Sequence, residues 1–178
     1  MPEDYPWYSI VEDQTLLQGD LLKNCPVLLP KGDIPDDSSE DEFILDGEIL
    51  EYDVIVMSQS CDLEAGKLDL VLVCPHWPLV KMAEQNDIFK SSKGKQDLQR
   101  GNIPGYHVLR ACDFDGWHDS VRIVDFRNVY SLPYQFLKRF ATKHSPRLRL
   151  LPPYREHLAQ AFARFFMRVG LPIQVEMK

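Results

Sequence analysis

A thiol and two carboxylates lie close together in the middle of the chain, between two apolar runs. Residues 58–67 read Ser-Gln-Ser-Cys-Asp-Leu-Glu-Ala-Gly-Lys. A cysteine on an exposed turn can act as a nucleophile, and a nearby lysine can lower the pKa of its thiol. Such a nucleophile needs a base, for which the sequence offers two histidines. The candidate catalytic residues are Ser58, Cys61, Asp62, Lys67, His76 and His107.

The same segment also has a purely structural interpretation. Ser58 and Asp62 belong to the residue types that hydrogen-bond the backbone of turns, and Cys61 could be a small residue buried beneath such a turn. No known motif links Cys61 to either histidine. The sequence therefore leaves open whether residues 58–67 form a hydrolase site or only a structural turn.

Motifs for cofactors and metals are absent from the sequence. The cysteines and histidines lack the close ligand pair that begins structural zinc sites. There is no P-loop, no glycine fingerprint for dinucleotides, no His-Glu-x-x-His and no Gly-x-Ser-x-Gly. We therefore expect neither a cofactor nor a metal.

Charge is distributed unevenly along a chain whose net charge is -7. Residues 33–48 hold eight carboxylates and no base, whereas residues 126–155 hold seven lysines and arginines and no carboxylate. Aromatic residues interleave the basic stretch, which predicts contacts with RNA or DNA, or with an acidic protein. Alternatively, the two stretches neutralise each other within one domain. The candidate nucleic-acid-binding residues are Arg127, Lys138, Arg139, Lys143, Arg147 and Arg149.

The elements that position these residues follow from the hydrophobic pattern. Two apolar, β-rich runs at residues 48–57 and 68–74 predict a strand hairpin, with the polar segment at its end. Further strands are expected within residues 16–30, 106–111 and 120–126, the last two joined by an Asp115-Gly116 turn. Short helices are expected at 79–89 and 134–141. Between them we expect a mobile acidic loop at 31–47 and a polar excursion at 90–105.

The C-terminal pattern is that of an amphipathic helix over residues 154–169, with Leu158, Phe162 and Phe165 on its apolar face. Strands followed by a closing helix predict an α+β fold in a single domain of 178 residues, built on a small, strongly bent, barrel-like antiparallel sheet. No apolar run approaches the ~20 residues of a membrane span, so no membrane contact is expected. The N-terminus lacks a secretory signal, which predicts a cytoplasmic protein with reduced thiols.

The order of several short landmarks resembles the MazF/PemK family of bacterial ribonuclease toxins. The landmarks are Gly19-Asp20, the strand-to-Ser run at 53–58, the strand-to-Pro run at 70–75, residues 124–132 and the closing helix. The resemblance implies an SH3-like barrel and a toxin-antitoxin-like protein. However, the Arg-Pro pair of the RNA-cleaving members falls at Tyr52-Asp53 here, and their second hydroxyl position falls near His76-Trp77.

Because these catalytic positions differ, the resemblance implies a related scaffold without the family's ribonuclease chemistry. We therefore expect a module that binds nucleic acid or a protein. The alternative is a ribonuclease or other hydrolase whose site is rebuilt from the serine, cysteine, aspartate and histidine residues named above. The sequence leaves open whether the chain forms a homodimer.

Overall fold

The computed structural model describes residues 5–31, 46–114 and 117–167. Strands in these ranges are β1 (Tyr8–Val11), β2 (Asp20–Pro30), β3 (Gly47–Val56), β4 (Leu70–Pro78), β5 (Tyr106–Leu109), β6 (Cys112–Phe114), β7 (Trp117–Asp119), β8 (Arg122–Asp125), β9 (Tyr130–Pro133) and β10 (Arg147–Leu150). Helices are α1 (Ser60–Glu64), α2 (Leu79–Gln85), α3 (Ser92–Gln99), α4 (Tyr134–Lys143) and α5 (Tyr154–Phe166). A short 3-10 turn, Asp87–Phe89, separates α2 from α3.

Eight strands form one antiparallel sheet in the order β1-β10-β2-β3-β4-β8-β5, with β9 also paired to β4. Strands β6 and β7 form a separate hairpin. The predicted α+β class is confirmed. The sheet is not closed into a barrel by the strands that the structure describes, because β1 and β5 stand at its two ends.

Both faces of the central strands are covered by helices. Alternate residues of β3 point to opposite sides, so that Ile55 lies in one apolar cluster while Val54 and Val56 lie in the other. Helix α5 covers the first cluster with the fully buried Leu158. On the other face, α4 contributes Leu137 to the second cluster, which also contains Leu63 of α1. The sheet therefore separates the surface of α4 from the surface of α5.

The predicted core hairpin is formed by β3 and β4, in which Val54 pairs with Pro75 and Val56 with Val73. Strand β2 has a bulge within its pairing with β3, where the register shifts between Leu22 and Cys25. Asn24 lies at this bulge with a left-handed φ of 51°. Its backbone N–H donates to Oδ1 of Asp53 at 3.0 Å, which ties the bulge to β3.

The polar excursion expected at 90–105 contains the helix α3, which the sequence pattern did not predict. Oγ of Ser91 caps this helix by accepting the backbone N–H of Gly94 at 2.9 Å. Any side chain at Gly94 would lie 1.8 Å from the Ile88 carbonyl oxygen, so the close contact of α3 with the 3-10 turn requires glycine. Phe89 and Leu98 are buried in a third apolar cluster.

Two further elements were not expected from the pattern. Residues 58–67, interpreted as a turn, contain the short helix α1. The basic Arg-Leu-Arg-Leu segment forms β10 in the interior of the sheet rather than a surface stretch. The pattern of alternating charge and leucine is typical of a strand, but buried arginines are rare enough to hide it.

Some predictions fall on residues outside the described ranges. These are most of the acidic loop, residues 32–45, the turn pair Asp115-Gly116 and the end of the C-terminal helix at Val169. The neck of the acidic loop is described: the backbone N–H of Lys31 donates to the Asp46 carbonyl, and Lys31 Nζ lies 2.7 Å from Glu48 Oε2. Among the helices in the described parts of the chain, none combines the length and apolar character needed to span a membrane.

Candidate functional site

The polar segment after β3 is held in place by its serines. Ser58 is buried, and its Oγ accepts the backbone N–H of Leu72 at 2.9 Å. Oγ of Ser60 accepts the backbone N–H of Gln18 at 3.2 Å. Both hydroxyls therefore position α1 at the end of the β3–β4 hairpin, and Ser58 has a structural partner where a reacting group was expected.

Cys61 is exposed on α1, as expected for a residue at a strand end. It lines a cavity of about 600 Å³ between α1 and α5, together with Gln18, Glu64, Arg155 and Glu156. Lys67 lies 3.5 Å from Asp62 Oδ1, so these two candidates pair with each other at the surface. The described lining of this cavity contains no histidine, so neither of the two candidate histidines adjoins Cys61 there.

His76 lies elsewhere, buried within β4. Its Nδ1 accepts a hydrogen bond from Nε of Arg122, which fixes the neutral tautomer that carries its proton on Nε2. Burial, with Arg122 and Lys23 nearby, holds the pKa of His76 well below its ordinary value. A buried imidazole engaged by a guanidinium is a poor proton acceptor for a thiol on another element.

Arg122 is the centre of a buried polar network that the sequence did not predict. It donates to Asp53, Asp119 and the backbone carbonyl of His76, and only 8% of its side chain is exposed. Asp53 is the residue at which the MazF/PemK resemblance places a proline. The guanidinium from β8 is therefore fully occupied in joining β3 and β4 to the β6–β7 hairpin.

His107 lies in a second cavity, on β5 beneath α5. Burial lowers its pKa to about 4, and the nearby His157 and Arg164 act in the same direction. Gln160 lines both this cavity and the one that contains Cys61. The six candidate catalytic residues thus occupy four places. Ser58 is buried against β4, and Cys61 lies at the surface with the Asp62–Lys67 pair. His76 belongs to the buried network, and His107 lines the cavity under α5.

The six candidate nucleic-acid-binding residues also divide. Arg147 and Arg149 are buried on β10, where both guanidiniums donate to Asp20, a carboxylate with no exposed surface. Both also contact Asp13. The expectation that these two arginines face a nucleic acid is wrong, because their donors are used within the fold.

Arg127 is intermediate between these groups. Its Nε and Nη2 donate to the two oxygens of Asp125 at 2.9 and 2.8 Å, and its guanidinium lies 4.5 Å above the Tyr106 ring. About half of the side chain remains exposed. Arg127 therefore contributes little net charge to any surface.

Lys138, Arg139 and Lys143 lie on the outer side of α4, and none makes an ion pair with another residue that the structure describes. Together with Gln14, Gln135 and Thr142 they line a shallow depression of about 370 Å³. The adjacent ridge of the helix carries rings at a spacing of four residues: Phe136 and Phe140 have centroids 6.2 Å apart, and Phe140 and His144 are 4.0 Å apart.

Comparison of the chain with family models, with curated proteins and with solved structures found no match.

Proposed function

We propose that this protein binds single-stranded nucleic acid through the outer surface of α4 and does not cleave it. The observation that carries the proposal is the cluster of Lys138, Arg139 and Lys143 on the outer side of α4, where none of the three has a carboxylate partner among the described residues. Three cations grouped on one helix side attract a polyanion even though the chain has a net charge of -7.

The ring ridge beside these cations favours nucleic acid over an acidic protein. Phe136 is 39% exposed, and His144 is exposed at the far end of the stack. Unpaired bases stack on aromatic side chains while the backbone follows neighbouring lysines and arginines. An acidic peptide would use the cations and leave the rings without a partner. Duplex bases are already stacked, which favours a single strand.

The proposal excludes cleavage because the residues needed for it are separated. RNA hydrolysis by general acid–base catalysis requires groups that reach the same phosphate. His76 is buried and bonded to Arg122, while Cys61 and His107 line two other cavities, neither of which includes a cation of α4. No described histidine other than His144 adjoins the α4 cations.

We keep the relation to MazF/PemK toxins, including the SH3-like barrel, as a hypothesis about the scaffold only. In its favour, the strand-to-Ser run and the strand-to-Pro run are adjacent strands, β3 and β4. Against a carry-over of catalysis, the position of the family's Arg-Pro pair holds Tyr52 and Asp53, and Asp53 is engaged by Arg122.

A direct test measures binding and cleavage on the same sample. The wild-type protein should bind a labelled single-stranded RNA, with an affinity that falls steeply between about 50 and about 200 mM salt, and should leave the RNA intact. The variant K138Q/R139Q/K143Q should bind at least about tenfold more weakly, and its slope of log K against log salt should be smaller by about 2.

A matched control removes three charges from helices that pack on a different apolar cluster from α4. Lys81, Lys93 and Lys95 lie exposed on α2 and α3, and the variant K81Q/K93Q/K95Q changes the net charge by the same amount. Its affinity should stay within about threefold of wild type, since only long-range attraction is lost. Equal losses of affinity in both variants would show that the α4 cations act only through the net charge of the protein. Cleavage of the RNA would contradict the proposal of a binding module.

The alternative function, a hydrolase with a rebuilt site, is favoured by one observation. The cavity that contains Cys61 and the cavity that contains His107 and His157 adjoin at Gln160, so a thiol and two imidazoles line neighbouring spaces along α5. If Cys61 is a nucleophile, iodoacetamide should alkylate it well below the pH at which a free thiol reacts, and C61S should lose all hydrolysis. Labelling no faster than a model thiol would exclude this alternative.

A further inference from the structure

A cavity of about 660 Å³ lies between α5 and the segment that runs from α3 to β5. Its volume is in the range of sites that hold a small organic ligand. Basic and titratable side chains are concentrated there, and no aspartate or glutamate is among the described residues that line it. The basic and titratable lining residues are Arg100, His107, His157 and Arg164.

Three elements bring these groups together. On α5, His157, Gln160 and Arg164 share one side of the helix at spacings of three and four residues. Arg100 directly follows α3, and His107 belongs to β5. In the sequence, the only indication of this cavity is the polar side of α5 that carries His157, Gln160 and Arg164. Such a side is easily interpreted as an ordinary solvent-exposed surface.

The donors of this cavity have few partners within the fold. Nε of Arg164 donates to the Gln160 backbone carbonyl at 3.4 Å, while its Nη groups bond to none of the residues that the structure describes. Arg100 forms no ion pair with any described residue, and His107 forms no side-chain hydrogen bond within the same ranges. Since the pKa of His107 is lowered to about 4, its imidazole is neutral at pH 7 and can both donate and accept.

We propose that this cavity binds a phosphomonoester of about nucleotide size. Arg100 and Arg164 bind the phosphate, because planar guanidiniums match phosphate oxygens in charge and geometry. The organic part of the ligand lies against the apolar side of the cavity. This side consists of Leu98, Pro104, Val108, Ala161 and Met167.

A phosphate dianion suits this lining better than a carboxylate does. Two guanidiniums without a carboxylate in the described lining leave a local excess of positive charge that one carboxylate would not balance. The site lies under α5, across the sheet from the α4 surface, and so stands independently of the nucleic-acid proposal.

Titration with adenosine monophosphate, adenosine and inorganic phosphate, followed by amide chemical shifts, tests the proposal. Adenosine monophosphate should bind at least about tenfold more tightly than adenosine, because the phosphate supplies the charged contacts. Inorganic phosphate should compete with it. The largest shifts should lie on β5 and α5, around Val108 and Gln160.

Substitutions assign the contacts. Both arginines are exposed, so R100Q/R164Q should fold normally and should weaken binding of adenosine monophosphate at least about tenfold. K93Q/K95Q removes the same charge from α3 away from the cavity and should change the affinity less than about twofold. K138Q/R139Q/K143Q should leave this binding unchanged, which separates the two sites.

A free nucleotide and the 5′ end of an RNA both present a phosphomonoester. In the K138Q/R139Q/K143Q background, stronger binding of 5′-phosphorylated than of 5′-hydroxyl RNA would assign the site to strand ends, and equal binding would assign it to free nucleotides. Equal affinity for adenosine monophosphate and adenosine would overturn the proposal. So would shifts confined to α4, or an R100Q/R164Q variant that binds like wild type.

Discussion

Helix α4 and strand β10 belong to the same basic stretch and are separated by only a short turn, yet their cations have opposite environments. On α4, Leu137 and Ala141 point into the core, which leaves Lys138, Arg139 and Lys143 on the outer side. On β10, alternate residues share a face, so that Arg147 and Arg149 both point at Asp20.

The comparison shows that the density of basic residues along a chain does not define a binding surface. The role of a cation is set by the period of its element and by the partner that the fold brings to it. Asp20 is 127 residues from Arg147 in the sequence. The β10 arginines therefore contribute to the stability of the fold, whereas the α4 cations determine which ligands the surface attracts.

The largest expected effect comes from removing the shared carboxylate. D20A should destabilise the protein by about 3 to 5 kcal/mol, because two buried guanidiniums lose their principal partner. Urea unfolding measures this loss. D62A removes a carboxylate from the surface pair with Lys67 and should cost less than about 0.5 kcal/mol. Comparable losses in both variants would remove the distinction between the buried and exposed cations.

The second effect tests whether α4 is docked firmly enough to present its cations. Leu137 is fully buried in the cluster beneath the helix. L137A should cost about 2 to 5 kcal/mol through lost burial and a cavity. K138A, at the next residue, should leave the midpoint of urea unfolding nearly unchanged. A stable L137A variant would show that α4 is not anchored by its apolar side.

A third group, His107, adds a case between these two, since it is partly buried and has no carboxylate partner among the described residues. Burial lowers its folded pKa from 6.5 to about 4. The unfolded chain therefore binds a proton first as the pH falls, and stability decreases between pH 6.5 and pH 4. Between pH 7 and pH 5 the loss from this residue should be about 2 kcal/mol.

Urea unfolding of H107Q at pH 7 and pH 5 measures how much of the pH-dependent loss of stability comes from His107. The variant keeps the contribution of His76, whose pKa is also lowered. H144Q, which changes an exposed histidine outside the cavity, is the matched control for the substitution itself. Identical profiles for H107Q and wild type would contradict the neutral burial of His107.

The smallest effect concerns one cation of α4 alone. K138Q should lower the affinity for single-stranded RNA about threefold to tenfold at low salt and should leave the free energy of unfolding within about 0.5 kcal/mol of wild type. Anisotropy titration measures the affinity. If K138Q binds RNA as wild type does, Lys138 faces a different ligand or none.

Much of the scaffold could be predicted from local patterns. The β3–β4 hairpin follows from two β-branched runs, and α5 follows from the spacing of Leu158, Phe162 and Phe165, which pack on the sheet near Phe126. Helix α3 was missed because Ser91, Gly94 and the lysines around them resemble a loop, while only Leu98 faces the core.

The site was less predictable because it depends on partners that are distant in sequence. Nothing near Arg122 or Arg147 indicates that Asp53 and Asp20 will neutralise them. Cys61 is exposed at the end of the hairpin, which excludes the alternative that it is buried beneath the turn. Its separation from His76 was not predictable, because that histidine lies on the adjacent strand but points into the interior.

The shared carboxylate of β2 also constrains how this sequence can diverge. Loss of Asp20 alone would leave two buried charges, and loss of either arginine would leave Asp20 undercompensated, so each single step is costly. Descendants should therefore keep all three residues or replace them together with apolar ones. The triplet consists of two arginines separated by one residue and one distant aspartate. We expect this pattern to persist even in relatives whose overall sequence similarity is too low to detect.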